Sequence, residues 1–196
     1  MALQTSGPIS LDDIQTEFGG TNPIDISDYY RNGDYVTNAT ANQNIPESGE
    51  ISLSDFYGAT RGIEVTVTQA NPSLEYKGAA LYGESAYIAG GILYDVSPNT
   101  YPAFGSMSPA TYEGATIQGL YENHDYPGAF DDYYFMFILS GTRAKSFFTE
   151  LQVEGIGTLT SASATHVQST SSTIWYWAIS DSAEWNGSNT STVLIV

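Results

Sequence analysis

The sequence predicts a mainly β protein. A small leading module with short helices and a Tyr-rich hairpin precedes an antiparallel β-sandwich or jelly-roll-like domain. Three observations predict it. Aromatic residues are 13% of the chain and glycine occurs 19 times in 196 residues, a composition suited to pleated, half-buried surfaces and tight turns. The stretch "IEVTVT" (63–68) alternates apolar and polar residues, as a strand with one buried face must. A short phrase recurs three times before residue 62 and not after it.

That phrase reads "ISLDDI" (9–14), "IDISDYY" (24–30) and "ISLSDFYG" (51–58). Each copy enters as a short extended piece. A Ser or Asp then stands where it can cap a helix by accepting a backbone N–H. The Asp that follows falls in the first turn, where negative charge meets the positive end of the helix dipole. In the first copy Leu11, Ile14 and Phe18 recur at helical spacing until Gly19–Gly20 stops the helix. In the third, Gly58 limits the helix to one turn. The second leads into "YYRNGDYV" (29–36), where Asn32–Gly33 predicts a hairpin between Tyr-rich strands. Residues 37–50 are polar and turn-rich and read as a loop.

"GATRG" (58–62) sets a boundary between residues 1–62 and 63–196. Beyond it, strands are predicted over 63–68, 73–77, 86–94, 111–121, 133–139, 150–154, 158–164, 173–179 and 192–196. "YYFMFIL" (133–139) is apolar almost throughout, which marks a central strand. "TIWYWAI" (173–179) divides Ile174, Tyr176 and Ala178 from Trp175, Trp177 and Ile179 on opposite faces. "AGG" (89–91) reads as a bulge within a strand, and "RAKSFFTEL" (143–151) as a short helix. The terminal "TVLIV" reads as a strand held within a sheet.

Charge and composition narrow the function. With 22 acidic and 5 basic residues the net charge is −17, so nucleic acid and anionic lipid are repelled. The absence of cysteine removes disulfides, thiol catalysis and thiolate metal ligands. "MALQTSGPIS" has neither a basic start nor an apolar core, and no apolar run is long enough to cross a bilayer. Folding in a cytoplasm is the expectation.

No catalytic motif stands out. "GESAY" (83–87) carries Tyr87 where a nucleophile elbow needs glycine, and only His124 and His166 could act as an imidazole base. Phosphate-binding glycine motifs are absent. His124, Asp125, Asp131 and Asp132 form the densest acidic stretch, but "DYPGAF" reads as a Pro–Gly turn and the spacing matches no EF-hand. The expectation is therefore no enzyme, no cofactor and no metal. Trp175 and Trp177 read as core. Trp185, in "AEWNGSN" (183–189), reads equally as an edge cap or as a platform for a sugar ring.

"SGPISLDDIQTEFGGTNPIDISDYYRNGDYV" followed by "IPESGEISLSDFYGA" resembles a short N-terminal module of tailed-bacteriophage virion proteins, common among phages of marine and cyanobacterial hosts. The likeness covers the first third of the chain. "GSMSPATYEGATIQGLY" (105–121) and "STIWYWAI" (172–179) resemble the partner domain of similar virion proteins. The resemblance implies a structural protein of the virion, such as a capsid decoration, head fibre or tail component. It implies other virion proteins as partners, and fibre analogy suggests a homo-oligomer, with a trimer as the expectation. Residues 1–62 would then attach to the particle through Leu11, Ile14, Phe18, Tyr29, Tyr30, Phe56 and Tyr57. Residues 63–196 would be displayed. The alternative is a lectin-like protein that recognises a host-surface glycan through Trp185, with calcium at the Asp125–Asp132 loop.

Overall fold

A computed structural model of the chain describes residues 2–73, 76–80, 86–89, 92–95, 103–124, 133–180, 185 and 190–196. The chain divides into two compact units, Met1–Ile63 together with Val196, and Glu64–Ile195.

The first unit holds one α-helix, α1 (Leu11–Phe18), and three short 3-10 turns, Ile26–Tyr29, Thr40–Asn42 and Leu53–Phe56. Its core gathers Leu3, Ile14, Phe18, Tyr29, Val36, Ile45, Phe56 and Ala59, with Ile9, Leu11, Ile24, Ile26, Tyr35 and Ile51 packed around them. Three rings form its centre. Phe18 and Phe56 stand 6.2 Å apart, and each lies 6.4 Å from Tyr29. Tilted and edge-on contacts of this kind suit the ring quadrupoles.

Polar clasps close the unit. The Asn42 amide is fully buried. It donates to the carbonyls of Thr37 (3.0 Å) and Thr60 (2.9 Å) and accepts from the Thr60 N–H at 2.9 Å. The N-terminal segment lies along residues 57–59: Leu3 N–H donates to Ala59 O at 2.8 Å and Gly58 N–H to Gln4 O at 3.1 Å.

The Tyr-rich hairpin predicted at Asn32–Gly33 does not form. Asn32 does take a left-handed φ of 66° and its N–H donates to Val36 O, so the turn exists. The flanking strands do not, and Arg31–Val36 is an isolated bridge. Tyr29 is committed to a 3-10 turn with its ring in the core. Arg31 directs its N–H to Pro46 O and its Nε to Ile45 O instead of to a strand partner.

The second unit is built of strands: β1 (Ile63–Thr68), β2 (Ala70–Ser73), β3 (Tyr76–Ala80), β4 (Ala86–Ala89), β5 (Ile92–Asp95), β6 (Ser106–Ser108), β7 (Thr111–Tyr112), β8 (Ala115–His124), β9 (Tyr133–Ser140), β10 (Glu150–Val153), β11 (Gly157–Thr160), β12 (Thr165–Gln168), β13 (Ser172–Ile179) and β14 (Thr190–Ile195). They form two larger antiparallel sheets, ordered β11-β10-β14-β1-β6 and β12-β13-β9-β8-β3-β2, with β7 paired to β8. The ribbon β4–β5 is a separate two-stranded sheet.

β9 is central, between β13 and β8, and Phe135 through Leu139 are all fully buried. Met136 and Ile138 join Ala80, Phe104, Tyr121 and Ile174 on one face. On the other, Phe137 packs against Phe148 at 5.1 Å and Trp175 at 5.7 Å. β13 obeys the predicted two-face division, and its tryptophans are core residues. Trp175 Nε1 donates to Lys145 O (3.0 Å) and Trp177 Nε1 to Thr160 O (2.9 Å). β14 lies inside its sheet, between β10 and β1.

Several local readings change: the strand expected over 111–121 is β7 and β8, turned at Glu113 and Gly114, both of positive φ, and the strand expected over 158–164 ends at Thr160. The single strand expected over 86–94 is two antiparallel strands, Ala86–Ala89 and Ile92–Asp95, with Ala89 opposite Ile92; Gly90 and Gly91 of the expected bulge lie outside the described residues. Residues 73–77 span the end of β2 and the start of β3. Residues 143–149 form no helix, because their backbone is engaged by side chains of other strands. Arg143 N–H donates to Thr173 Oγ1, Arg143 O accepts from Gln168, and Lys145 O accepts from Trp175.

Gly78 shows how closely the second unit packs. Its φ is +142°, and a Cβ there would lie 2.5 Å from Leu120 O and 2.8 Å from the Trp185 ring. Gly78→Ala is expected to destabilise the protein by at least ~2 kcal/mol, as overpacking against backbone does. Urea unfolding followed by tryptophan fluorescence measures it.

Candidate functional site

The three recurrent phrases fold alike. Ser10, Asp25 and Ser52 are the cap residues, all with extended backbone. In each copy the cap N–H donates to the carboxylate of the Asp three residues on: Ser10 to Asp13, Asp25 to Asp28 and Ser52 to Asp55, at 2.8 Å every time. The return bond differs. Ser10 Oγ accepts from Asp13 N–H at 3.2 Å, Asp25 accepts from Ser27 N–H at 2.9 Å, and the Ser52 hydroxyl meets that of Ser54.

An apolar pair flanks each cap. Ile9, Ile24 and Ile51 precede it, half-buried; Ile14, Tyr29 and Phe56 follow it, fully buried. Such a staple fixes the angle at which the chain enters the turn. The isoleucines carry no functional expectation from sequence, although their regular place before each cap is visible there.

Four of the seven expected docking residues lie in the interior of this unit. Ile14, Phe18, Tyr29 and Phe56 are at most 1% exposed and form the core itself, so they present nothing to a partner. A unit this small has little interior, and its largest apolar side chains are needed to fill it. Tyr30 and Tyr57 are half-buried, with their hydroxyls engaged. Tyr30 donates to Gly49 O and Tyr57 to Gly7 O, as Tyr29 does to Gly19 O. All three glycines have positive φ, so each tyrosine fastens a loop bend. Leu11 is half-buried against the core. Its counterpart in the third copy, Leu53, is 38% exposed and is the one large exposed apolar side chain among the described residues.

Trp185 also departs from the exposed platform. It is fully buried, its ring lies 5.2 Å from that of Phe135, and its backbone N–H donates to Glu122 Oε2 at 2.9 Å. Glu122 itself is 5% exposed. A sugar ring cannot stack on a face already covered by protein. Trp185 Nε1 meets no hydrogen-bond partner among the described residues. His166 places Nε2 3.1 Å from Arg143 O and its ring 5.2 Å from Trp175. Asp125, Asp131, Asp132 and Ser85 lie outside the described residues, as does the side chain of His124. Among the described residues no cluster of His, Asp and Glu could hold a metal, and no helix is long and apolar enough to cross a membrane.

The chain matches no protein-family model, no curated protein and no solved structure.

Two outcomes are expected. Trp185→Ala removes a fully buried ring, and thermal unfolding should show a loss of ~3–5 kcal/mol. The second concerns acid. Hydrogen bonds from the Ser10 side chain and backbone hold the Asp13 carboxyl below its ordinary 3.8, and the Ser27 backbone and side chain do the same for Asp25. A carboxyl depressed by folding adds stability that is full above 3.8 and is lost as pH falls below it. Amide protection in the first unit, corrected for the intrinsic exchange rate at each pH, should therefore fall below that pH, and the acid dependence should be weaker in the Asp13→Asn/Asp25→Asn variant.

Proposed function

We propose that the chain is a non-enzymatic structural protein of a tailed-phage virion, in which residues 1–62 form an assembly module and residues 63–196 a displayed β-sandwich. The observation that carries this reading is the construction of the first unit. The stretch that resembles a virion module folds around its own aromatic core, with the same capped turn used three times. A small unit made rigid in this way suits a part that is repeated identically over a particle. The two antiparallel sheets support the sandwich reading of the remainder, as does the bond from Trp177 Nε1 on β13 of one to the Thr160 carbonyl on β11 of the other. The jelly-roll connection is part of this proposal.

Attachment then works through surface and not through the core aromatics. Leu53 and the exposed carboxylates around the capped turns are what the first unit presents. Other virion proteins are the proposed partners, the virion the proposed location and a homo-oligomer the proposed state. The glycan-binding alternative is not carried forward, since its principal residue, Trp185, is buried.

The test uses particles of the phage that encodes the chain. After banding on a density gradient and a high-salt wash, the protein should remain with the particles at a fixed ratio to the major capsid protein. Recovery only in the soluble lysate would overturn the assignment.

A further inference from the structure

Arginine and lysine are scarce, and two of the three in residues 63–196 are Arg143 and Lys145. They lie on the connection between β9 and β10. Among the described residues neither enters an ion pair, although the chain carries 22 carboxylates.

The connection is held by its backbone. Arg143 N–H donates to Thr173 Oγ1 at 2.8 Å. Arg143 O lies within hydrogen-bond distance of His166 Nε2 and of Gln168 Nε2, both on β12. Lys145 O accepts from Trp175 Nε1 at 3.0 Å. The Arg143 side chain is also set. Its guanidinium lies 4.9 Å above the Phe147 ring, and Nε donates to Ser140 O at 3.3 Å. The Phe147 ring stands edge-on to Tyr112 at 5.8 Å. Arg143 and Phe147 are half-buried and Lys145 is exposed. The result is a cationic and aromatic point fixed on an otherwise acidic protein. A positioned arginine backed by a ring suits a carboxylate partner.

We propose that this connection docks on the carboxylate-rich surface of a second copy of the chain. Charge complementarity names that occupant. The exposed Asp12, Asp34 and Glu50 take part in no cap and no ion pair among the described residues. Residues 1–62 carry nine acidic and two basic side chains, a net of −7. Donor and acceptor patches differ, so the contact is heterologous and yields a ring if the rotation closes and a filament if it does not. The contact rests on the homo-oligomer proposed above; a monomeric chain would count against that state, whereas residence in the particle is read separately by the gradient test.

Sedimentation velocity of the full chain over a range of salt concentrations tests it. Two copies of net charge −17 repel at low salt, so wild type should associate at intermediate salt, where that repulsion is screened, and dissociate at high salt, where the local contact is screened too. Arg143→Glu/Lys145→Glu should weaken association by at least about tenfold. The loop's backbone bonds remain in that variant, and circular dichroism should be unchanged. Arg143→Gln/Lys145→Gln, which removes charge without reversing it, should weaken association in the same direction and serves if the first variant misfolds. A wild type monomeric at every salt concentration, or association equal in all three proteins, would overturn the proposal. So would salt-sensitive association lost instead on Lys77→Gln.

Discussion

The first unit depends on one small contact made three times: a backbone N–H at the entry to a turn, held by the carboxylate three residues later. The bond is local and inexpensive to form, because it joins groups already close along the chain. Its effect is not local. By fixing where each turn begins, it points Ile14, Tyr29 and Phe56 inward from three separate places. The core is the meeting of those three directions. A unit of this size buries a modest fraction of its surface, so directing its apolar residues correctly matters more than their number.

The second unit solves its problem differently. Its centre is β9, which pairs with β13 in one unbroken register and with β8 in a long register shifted once between Ile117 and Gly119, and whose side chains are buried on both faces. Aromatic side chains then extend this order outward. Trp175 and Trp177 bury their rings and use their Nε1 atoms to hold backbone carbonyls of Lys145 and Thr160. The first bond fixes an irregular connection and the second the end of β11.

Much of this was legible in the sequence, for physical reasons that differ by element. The alternation of "IEVTVT" marks β1 at its observed bounds, and the unbroken apolar run marks β9 as interior. The caps were legible because Ser or Asp before a turn has a specific chemical task. The fate of the aromatics was not. Phe18 and Phe56 could serve equally as core or as contact surface, and only their mutual distances decide. The Asn32–Gly33 turn was visible, but not the claim that Pro46 O makes on the Arg31 N–H, which prevents a ladder. Trp185 sits among polar residues, so nothing nearby announces that Phe135 and Glu122, both distant along the chain, enclose it. The Arg143–Lys145 connection gave no sign of its fixed position, since the bonds that hold it come from β12 and β13.

The place of β14 has a consequence for biosynthesis. It lies between β10 and β1, yet the ribosome makes it after every other strand of that sheet. Until it emerges, β1 and β10 each lack a neighbour, and an unsatisfied strand edge invites pairing with the wrong chain. The clasps within residues 1–62 meet no such delay, because they join residues that are close together in the order of translation. A nascent chain thus carries the clasped turns of residues 1–62 while β1 and β10 still wait for β14 to come between them.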